Sequence, residues 1–453
     1  MSEKKKGFSY LRLFVAVGSI ALVSVILILI GIYKSDAESL AGVFGEGAFI
    51  HSETVYLVLL LALFLPVVLV VLTVIIAKER FGFTLFREKK EQEDTARFRA
   101  LSGTDAKMKE YAAPAYETTI NLAQLCEDFH NYAASKMQLY YSIEDIRKFI
   151  AGLGVSHLMV MQGLSGTGKT SLATAIGEYL GNRSSVVSVQ PMWKERSDVI
   201  GYFNEFTKKF NESTLLKILY EARFTDNMYI VVLDEMNIAR VEYYFADFLS
   251  LMELDPKNRF LEMTSDTWEN DPNLFEDGRF RLPENVWFIG TANNDDSTFS
   301  ISDKVYDRAM VMNLDRKAQP FIAPQSEGAK IPFSYFQWLV NGAKQSYRMS
   351  QDVRDKVAEL DRFLSEKYHI TYGNRIRMQM EDYVSVFVAC GGTQEEALDD
   401  FLMKKVLRKL EGLNPVVMAK ASTVIAGRLD ELFSEDAMPL CRSYLKYLRQ
   451  LAS

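Results

Sequence analysis

Two uncharged apolar runs near the N-terminus, residues 13–33 and 54–77, stand apart from the mixed pattern of the remaining chain. They contain 21 and 24 residues, and a helix of about 20 apolar residues crosses the roughly 30 Å hydrocarbon layer of a bilayer. A helix buried in a soluble core rarely stays apolar on every side over such a length, and Pro66 is compatible with a kinked spanning helix. The pattern therefore predicts two transmembrane helices within residues 1–85.

The charges around these runs predict their orientation. Lysine and arginine residues precede the first run and follow the second, whereas residues 34–53 hold one lysine and four acidic residues. The positive-inside rule then places both termini in the cytoplasm and a short loop outside, as in a multi-pass protein of a prokaryotic inner membrane. A cleaved signal peptide is the rival interpretation of the first run, but the run exceeds the usual apolar length of about 7–15 residues.

Beyond residue 85 the pattern becomes that of a folded cytoplasmic protein. Residues 86–140 are strongly charged at first and predict linker helices with an exposed start. Residues 141–318 alternate amphipathic helices with short apolar runs, which predicts an α/β domain with a parallel sheet; the predicted strands are 157–162, 229–234, 286–291 and 309–314. Residues 319–453 show helical periodicity; the predicted helices include 350–368, 380–389 and 395–413.

Composition narrows the classes of function. Hydrophobic residues make up 48% and charged residues 25% of the chain, as in globular proteins. The net charge of −7 argues against a polyanion bound along the whole chain. Four scattered histidines offer no zinc site, and three cysteines far apart in the chain predict buried thiols in a reducing compartment. One basic cluster predicts a solvated helix face, with nucleic-acid contact as the alternative; it consists of Lys404, Lys405, Arg408 and Lys409.

The sequence GLSGTGKT at residues 163–170 fits the phosphate-loop pattern G-x-x-x-x-G-K-[ST] in full. A predicted strand precedes it and a predicted helix follows, which is the context that this motif requires. Backbone N–H groups of such a loop bind phosphate oxygens, the lysine reaches the β- and γ-phosphates, and the hydroxyl of Thr170 binds Mg²⁺. The predicted nucleotide-binding residues are Gly163, Leu164, Ser165, Gly166, Thr167, Gly168, Lys169, Thr170 and Ser171.

Three later positions supply the remaining parts of a nucleotide-hydrolysing site. The apolar strand YIVVL ends in Asp234, which we expect to bind Mg²⁺, and in Glu235, which we expect to activate the attacking water. The next strand ends at Asn293, whose amide can position that water. Arg308 precedes the last strand and can neutralise charge on the nucleotide of a neighbouring subunit, although a surface arginine is the alternative.

This ordered series resembles the AAA+ ATPases, and most closely their McrB-like and MoxR-like branch. The similarity lies in residues 189–204, in residues 234–253, which begin with DEMNIAR, and in residues 283–293, PENVWFIGTAN. It covers about residues 140–380 and does not extend to the predicted membrane spans. The resemblance implies a five-stranded parallel sheet flanked by helices, followed by a helical lid.

The same resemblance implies a ring, usually a homo-hexamer, with ATP and Mg²⁺ between subunits. It gives Asn293 a sensor role, Arg308 the role of arginine finger, and Arg375 the role of the lid arginine at the γ-phosphate, with Arg377 as its rival. The segment 201–211 resembles a pore-lining hairpin, although an ordinary surface hairpin is an equal alternative. The Asn-Thr-x-Asp-Arg-Ser stretch of the GTP-using restriction motors is absent after Asn293, which favours ATP.

The sequence therefore predicts a membrane-anchored AAA+ ATPase whose cytoplasmic ring remodels a protein client. An McrB-like nucleotide-driven motor or switch of a defence system, acting with a separate effector, is the alternative. A ring that gates or clusters its own spans is a third, although the uncharged spans offer no ion pathway. No recognisable DNA-reading domain is present, so the sequence does not support direct DNA binding.

Overall fold

The computed structural model describes residues 96–293, 298–316, 318–434 and 437–451. The predicted spans at 13–33 and 54–77 lie outside these residues, so the membrane anchor stays a prediction. Among the described residues, no helix has both the length and the apolar character needed to cross a membrane.

Helices and strands alternate through the first part of the described chain, and helices alone form the last part. The helices are α1 Arg99–Met108, α2 Leu122–Met137, α3 Ile143–Val155, α4 Lys169–Tyr179, α5 Arg196–Ile200, α6 Thr214–Ala222, α7 Val241–Tyr244, α8 Ala246–Leu251, α9 Asp303–Tyr306, α10 Phe333–Ser346, α11 Gln351–Tyr368, α12 Asn374–Ala389, α13 Gln394–Phe401, α14 Pro415–Phe433 and α15 Pro439–Leu451. The strands are β1 Leu158–Gln162, β2 Ser185–Ser188, β3 Gly201–Asn204, β4 Lys209–Glu212, β5 Tyr229–Asp234, β6 Phe260–Glu262, β7 Phe275–Glu276, β8 Arg279–Arg281, β9 Val286–Ala292 and β10 Met310–Asn313.

A five-stranded parallel sheet forms the centre of the nucleotide-binding part, in the order β10-β1-β9-β5-β2. This confirms the predicted five-stranded parallel sheet. Strands β1, β5 and β9 are almost entirely buried, because helices cover both faces and the strands are apolar at consecutive positions. Their carboxyl ends meet at one edge, and β1 leads there directly into the loop that starts at Gly163.

Two smaller β units extend from this core. Strands β3 and β4 form the antiparallel hairpin predicted for this segment, with the side chain of Phe206 99% exposed near its tip. Strands β6, β8 and β7 form a small antiparallel sheet within residues 260–281. Buried Arg97 donates hydrogen bonds to Asp266 and Asp271, which lie between β6 and β7. Phe98 stacks on Phe210, and both Arg97 and Phe98 are buried. The prediction of an exposed linker is therefore wrong for residues 97 and 98.

The C-terminal helices depart from the sequence prediction at one place. The helix expected over 395–413 ends at Phe401, and a π-helical segment, Leu402–Val406, and a 3-10 helix, Leu407–Gly412, replace the rest. Lys404 and Lys405 are buried there, so the prediction of a solvated basic face is wrong for both. The Nζ atom of Lys404 lies 2.6 Å from a carboxylate oxygen of Asp400, and Lys405 bonds to backbone carbonyls. All three cysteines are buried and free, as predicted.

Candidate active site

The phosphate loop connects β1 to α4 through glycines whose backbone conformation or surroundings exclude a side chain. Gly163 has φ +142°, and a Cβ atom there would lie 2.3 Å from the carbonyl oxygen of Leu314. Gly168 has φ +97° and directly precedes α4. The hydroxyl of Tyr141 donates to the carbonyl of Gly168 at 2.9 Å, which links the loop to the segment before α3. The loop therefore presents its N–H groups at a helix N-terminus, a geometry that binds phosphate.

Lys169 lies inside this loop rather than in solvent. Its Nζ donates to the carbonyl oxygens of Gly163 and Leu164 at 2.9 and 2.8 Å. Burial lowers the pKa of Lys169, and the carboxylates of Asp315 and Asp234 partly oppose that shift. The loop carbonyls already order the Lys169 side chain. Moving its hydrogen bonds to phosphate oxygens would therefore cost little conformational entropy.

A network of short polar side chains joins the loop to the ends of the neighbouring strands. The hydroxyls of Thr170 and Thr291 both donate to one carboxylate oxygen of Asp234, at 2.8 and 2.9 Å. The hydroxyl oxygen of Thr291 also accepts from the backbone N–H of Glu235 at 2.9 Å. The Asp234 carboxylate and the Thr170 hydroxyl offer the oxygen ligands that Mg²⁺ prefers, so this pair fits the predicted metal site.

Glu235 has a left-handed backbone, with φ +53° and ψ +46°. This conformation is uncommon for a residue with a side chain and recurs at functional sites, where the surrounding structure over-determines it. Here the hydrogen bond to Thr291 fixes the turn, and Glu235 stands exposed just beyond β5. An exposed carboxylate beside the Asp234 pair has the chemistry of a general base for water.

Asn237 ties this turn to the segment that carries the predicted sensor. Its buried Nδ2 donates to the carbonyl of Asn293 at 3.0 Å, to the hydroxyl of Thr298 at 3.0 Å and to the carbonyl of Phe299 at 3.2 Å. Asn293 lines a cleft of about 1120 Å³ together with Asn237 and Gly163. The structure thus places Asn293 on the phosphate-loop side of the sheet, at the end of β9.

The two predicted arginines lie elsewhere and share one acid. Arg308 forms an ion pair with Glu253 and donates to the carbonyls of Leu249 at 3.2 Å and of Lys304 at 2.7 Å. Arg375 lies 2.9 Å from the other carboxylate oxygen of Glu253. Arg377 is exposed. Glu253 therefore joins Arg308 to Arg375.

This arginine pair lies at the edge of the sheet opposite the phosphate loop. Arg308 precedes β10, which runs parallel to β1 with Met310 beside Met159 and Asn313 beside Gln162. From Arg308 to Leu314, whose N–H bonds to Gln162 just before the loop, the chain rises roughly 20 Å at about 3.3 Å per residue. The structure therefore does not bring Arg308 or Arg375 to the phosphate loop of its own chain.

The structure brings together the loop residues 163–171, Asp234, Glu235 and Asn293, as the sequence predicts. Four further residues were not predicted from the sequence: Tyr141, Asn237 and Thr291 lie at this site, and Glu253 lies with the arginine pair at the opposite edge. Asn237, Glu253 and Thr291 lie inside the segments on which the resemblance rests. Tyr141 carries no motif signal, because only its contact with Gly168 reveals its role.

Two family models match separate parts of the chain. Residues 158–309 match the AAA domain of the dynein-related subfamily. Residues 329–452 match a domain of unknown function. The first match spans the phosphate loop, the Asp-Glu turn and the strand that ends at Asn293, so residues 158–309 form an AAA+ ATPase domain.

Curated relatives are similar over part of their length. The EcoKMcrB subunit of a type IV methyl-directed restriction enzyme from Escherichia coli K12 is 26% identical over 165 residues, 35% of this chain and 35% of that protein. A Lon protease from Leptospira interrogans is 30% identical over 201 residues, 40% of this chain and 22% of the protease. The chain thus spans about a third and a fifth of these relatives. A solved structure from Cytophaga hutchinsonii covers 73% of this chain and 94% of that chain at 11% identity, with a TM-score of 0.42.

Proposed function

We propose that this protein is a membrane-anchored AAA+ ATPase that hydrolyses ATP between the subunits of a ring, a hexamer by family likeness, and remodels a protein client near the membrane. Thr170 and Asp234 would hold Mg²⁺, which would neutralise negative charge on the β- and γ-phosphates. Glu235 takes a proton from the attacking water, and Asn293 orients that water. Lys169 and the loop N–H groups bind the transferred phosphoryl group.

The observation that carries the proposal is the separation between Arg308 and the phosphate loop. One site contains the loop, Thr170, Asp234 and Glu235, and neither Arg308 nor Arg375 of the same chain reaches it. Arg308 and Arg375 lie together at the opposite edge, with side chains 17% and 44% exposed, where a neighbour in a head-to-tail ring would contact them. An arginine supplied in this way accelerates phosphoryl transfer by about 10³–10⁵-fold.

The proposed contact with a protein client is based on the hairpin formed by β3 and β4. Phe206 is almost fully exposed and Tyr202 more than half exposed on an element that projects from the sheet core. Exposed aromatic residues on a two-stranded arm suit contact with an unfolded or extended polypeptide. ATP is favoured over GTP because the segment after Asn293 lacks the arginine of the GTP-using motors.

A second candidate is favoured by the similarity to the EcoKMcrB subunit. In this reading the ring is a nucleotide-driven motor or switch that acts on a separate effector of a defence system. The burial of Lys404 and Lys405 removes one basic surface that DNA contact would use. Direct DNA binding therefore lacks support from that cluster, and an effector subunit would have to read the DNA.

Nucleotide turnover by the full-length protein in detergent separates the two candidates. We expect hydrolysis of ATP in preference to GTP, unchanged by double-stranded DNA and stimulated by an unfolded model protein such as casein. A preference for GTP or several-fold stimulation by DNA would instead support the motor of a defence system.

Glu235→Gln tests the catalytic assignment within the same assay. The amide cannot accept the proton of water, so turnover should fall at least about 100-fold while ATP binding persists. Glu242→Gln, in helix α7 a few residues further along the chain, serves as the matched control. Turnover near the wild-type rate in Glu235→Gln would remove this residue from the role of base.

A further inference from the structure

The C-terminal helices surround the segment that carries Arg308. The Nζ atom of Lys405 donates to the carbonyl oxygens of Tyr306 and Ala309, the latter at 2.7 Å. These two carbonyls lie on either side of Arg308 in the chain, and Lys405 is only 3% exposed. One buried ammonium therefore fixes the backbone both before and after the arginine.

Neighbouring side chains hold the same segment. The guanidinium carbon of Arg408 lies 3.8 Å above the ring of Tyr306, and Arg408 forms an ion pair with Asp303 at the start of α9. The Nζ atom of Lys409 lies 3.9 Å from a carboxylate oxygen of Asp307. Three basic residues that sequence reasoning assigned to solvent, Lys405 among them, thus contact α9 and the turn after it.

Helix α12 completes the enclosure from another side. The amide of Gln379 donates to the carbonyl oxygen of Arg308 at 3.3 Å. Arg375, at the start of the same helix, shares Glu253 with Arg308. The carbonyl oxygen of Arg308 also accepts from the hydroxyl of Ser156 at 3.0 Å. Apart from Ser156 and Glu253, these contacts come from residues 329–452, the part that matches a domain of unknown function.

Burying the Lys405 ammonium costs desolvation free energy, which its hydrogen bonds must offset. The pKa of Lys405 is lowered to about 7, mainly by burial; the carboxylate of Asp307 opposes this shift, and the positive charges of Arg408, Lys409 and Arg375 add to it. A methionine of similar length would fill this space without the desolvation penalty of an ammonium. Lysine, unlike methionine, can donate hydrogen bonds to the carbonyl oxygens of Tyr306 and Ala309.

The backbone around Lys405 is also unusual. Lys404 and Lys405 lie in the π-helical segment Leu402–Val406, and single π turns inside helices recur at functional sites. Lys404 bonds to Asp400, whereas Lys405 bonds to the turn after α9. The two adjacent lysines therefore serve different partners, which provides a matched pair for an experiment.

We propose that Lys405 is a positioning residue for the arginine finger, through which the C-terminal helices set how well one subunit completes the nucleotide site of the next. The proposal rests on the proposed function of Arg308. Movement of the C-terminal helices relative to α9 would shift the backbone of Arg308 and so change catalysis at the neighbour's site rather than at its own.

The test uses Lys405→Met in the full-length protein. We expect kcat for ATP to fall roughly 10- to 100-fold, the range for small misplacements of a catalytic group. The KM for ATP should stay within about twofold, because the phosphate loop lies at the other edge of the sheet. Lys404→Met is the matched control, with kcat within about twofold of wild type. An equal loss of kcat in Lys404→Met would overturn the proposal.

Mixing subunits separates positioning from general damage. Glu235→Gln subunits have an inactive site but an intact finger, so an equal mixture with Lys405→Met should recover about a quarter of the wild-type rate, the share of junctions that pair an intact site with an intact finger. A mixture of Lys405→Met with Arg308→Ala should recover nothing, because both lack a working finger. Failure of the first mixture, or recovery in the second, would overturn the proposal.

A third mixture tests the proposed role of Arg308 separately from the proposed role of Lys405. Glu235→Gln with Arg308→Ala should also recover activity; if it does not, the assignment of Arg308 as a finger in trans is wrong.

If Lys405→Met does not fold, Gln379→Met removes the side-chain donor from α12 to the Arg308 carbonyl and should show the same mixing pattern with a smaller loss. Unchanged kcat in Gln379→Met would then overturn positioning by the C-terminal helices.

Discussion

Asp234 shows how the site is assembled at the scale of single residues. One of its carboxylate oxygens accepts hydrogen bonds from Thr170 and Thr291, which come from the phosphate loop and from the neighbouring strand. Hydrogen bonds to a charged acceptor are shorter and stronger than neutral ones. A single carboxylate thus holds three chain segments together at the end of β5.

Lys169→Ala should weaken ATP binding itself. Hydrogen bonds to charged groups are worth about 1.5–3 kcal/mol, so the affinity should fall roughly 10- to 100-fold. Titration of a fluorescent ATP analogue measures this, with Lys217→Ala on the exposed side of α6 as the control. Equal affinity in the two variants would contradict the assignment of residues 163–171 to phosphate binding.

Lys405 should make stability depend on pH. Its pKa is about 7 in the folded protein, below the ordinary lysine value of 10.5. Between these values the unfolded chain binds more protons than the folded one, so this residue's contribution to stability rises with pH, by up to about 1.4 kcal/mol per pH unit. Below pH 7 both forms are protonated and the contribution is constant.

Thermal unfolding of the wild type and Lys405→Met between pH 6 and 9.5 measures this contribution. The difference in unfolding free energy, wild type minus variant, should stay level below pH 7 and increase above it. The groups that face Lys405 are Asp307, Arg375, Arg408 and Lys409. A difference that stays level throughout would contradict the lowered pKa.

The residues with local signatures were predictable, and those that act through tertiary contact were not. Lys169, Asp234 and Glu235 stand in motifs whose spacing follows from strand, loop and helix geometry. Glu253 and Lys405 lie 55 and 97 positions from Arg308 in sequence, and nothing local marks either as its partner. Charge alone suggested a solvated face for Lys405, because burial of a lysine depends on carbonyls supplied by another element.

At the scale of elements, β9 and the turn after β5 act as one unit. Asn237, 4% exposed, donates three hydrogen bonds from that turn to the segment after β9. Asn285, 5% exposed, likewise donates three hydrogen bonds, to carbonyls of residues 222, 225 and 227, at the start of β9. The two asparagines are matched in burial and bonding but lie at opposite ends of the strand.

Asn237→Ala and Asn285→Ala should therefore separate stability from catalysis. Each removes a buried amide that donates three hydrogen bonds, which costs on the order of 1–3 kcal/mol. We expect similar losses in melting temperature, whereas kcat should fall roughly tenfold only in Asn237→Ala, since only that change loosens Asn293. A similar kcat in the two variants would show that Asn237 has no part in positioning the sensor segment.

Sequence patterns predicted the central strands to within about one residue, because buried parallel strands are continuous apolar runs with turn residues at both ends. The helix predicted over 395–413 was wrong in its second half. Apolar spacing continues through residues 402–412 and fits an α-helix, but Lys404 and Lys405 reach two different partners from a π turn, which a 3-10 helix follows.

At the scale of the whole molecule, the predicted site residues lie at two opposite edges of the central sheet. The carboxyl edge carries the phosphate loop, Asp234 and Glu235, and the opposite edge carries Arg308 and Arg375. The C-terminal helices contact the Arg308 segment through Lys405 and Gln379. The predicted membrane anchor would keep such subunits in one plane and raise their local concentration.

The dependence of ATP turnover on protein concentration tests this account most directly. Full-length protein in detergent is diluted across the range in which mass photometry shows rings giving way to single chains. If a neighbour completes each site, turnover per subunit should fall at least about 100-fold as the rings dissociate, and Arg308→Ala should be slow at every concentration. Turnover per subunit that stays constant down to single chains would contradict a site shared between subunits.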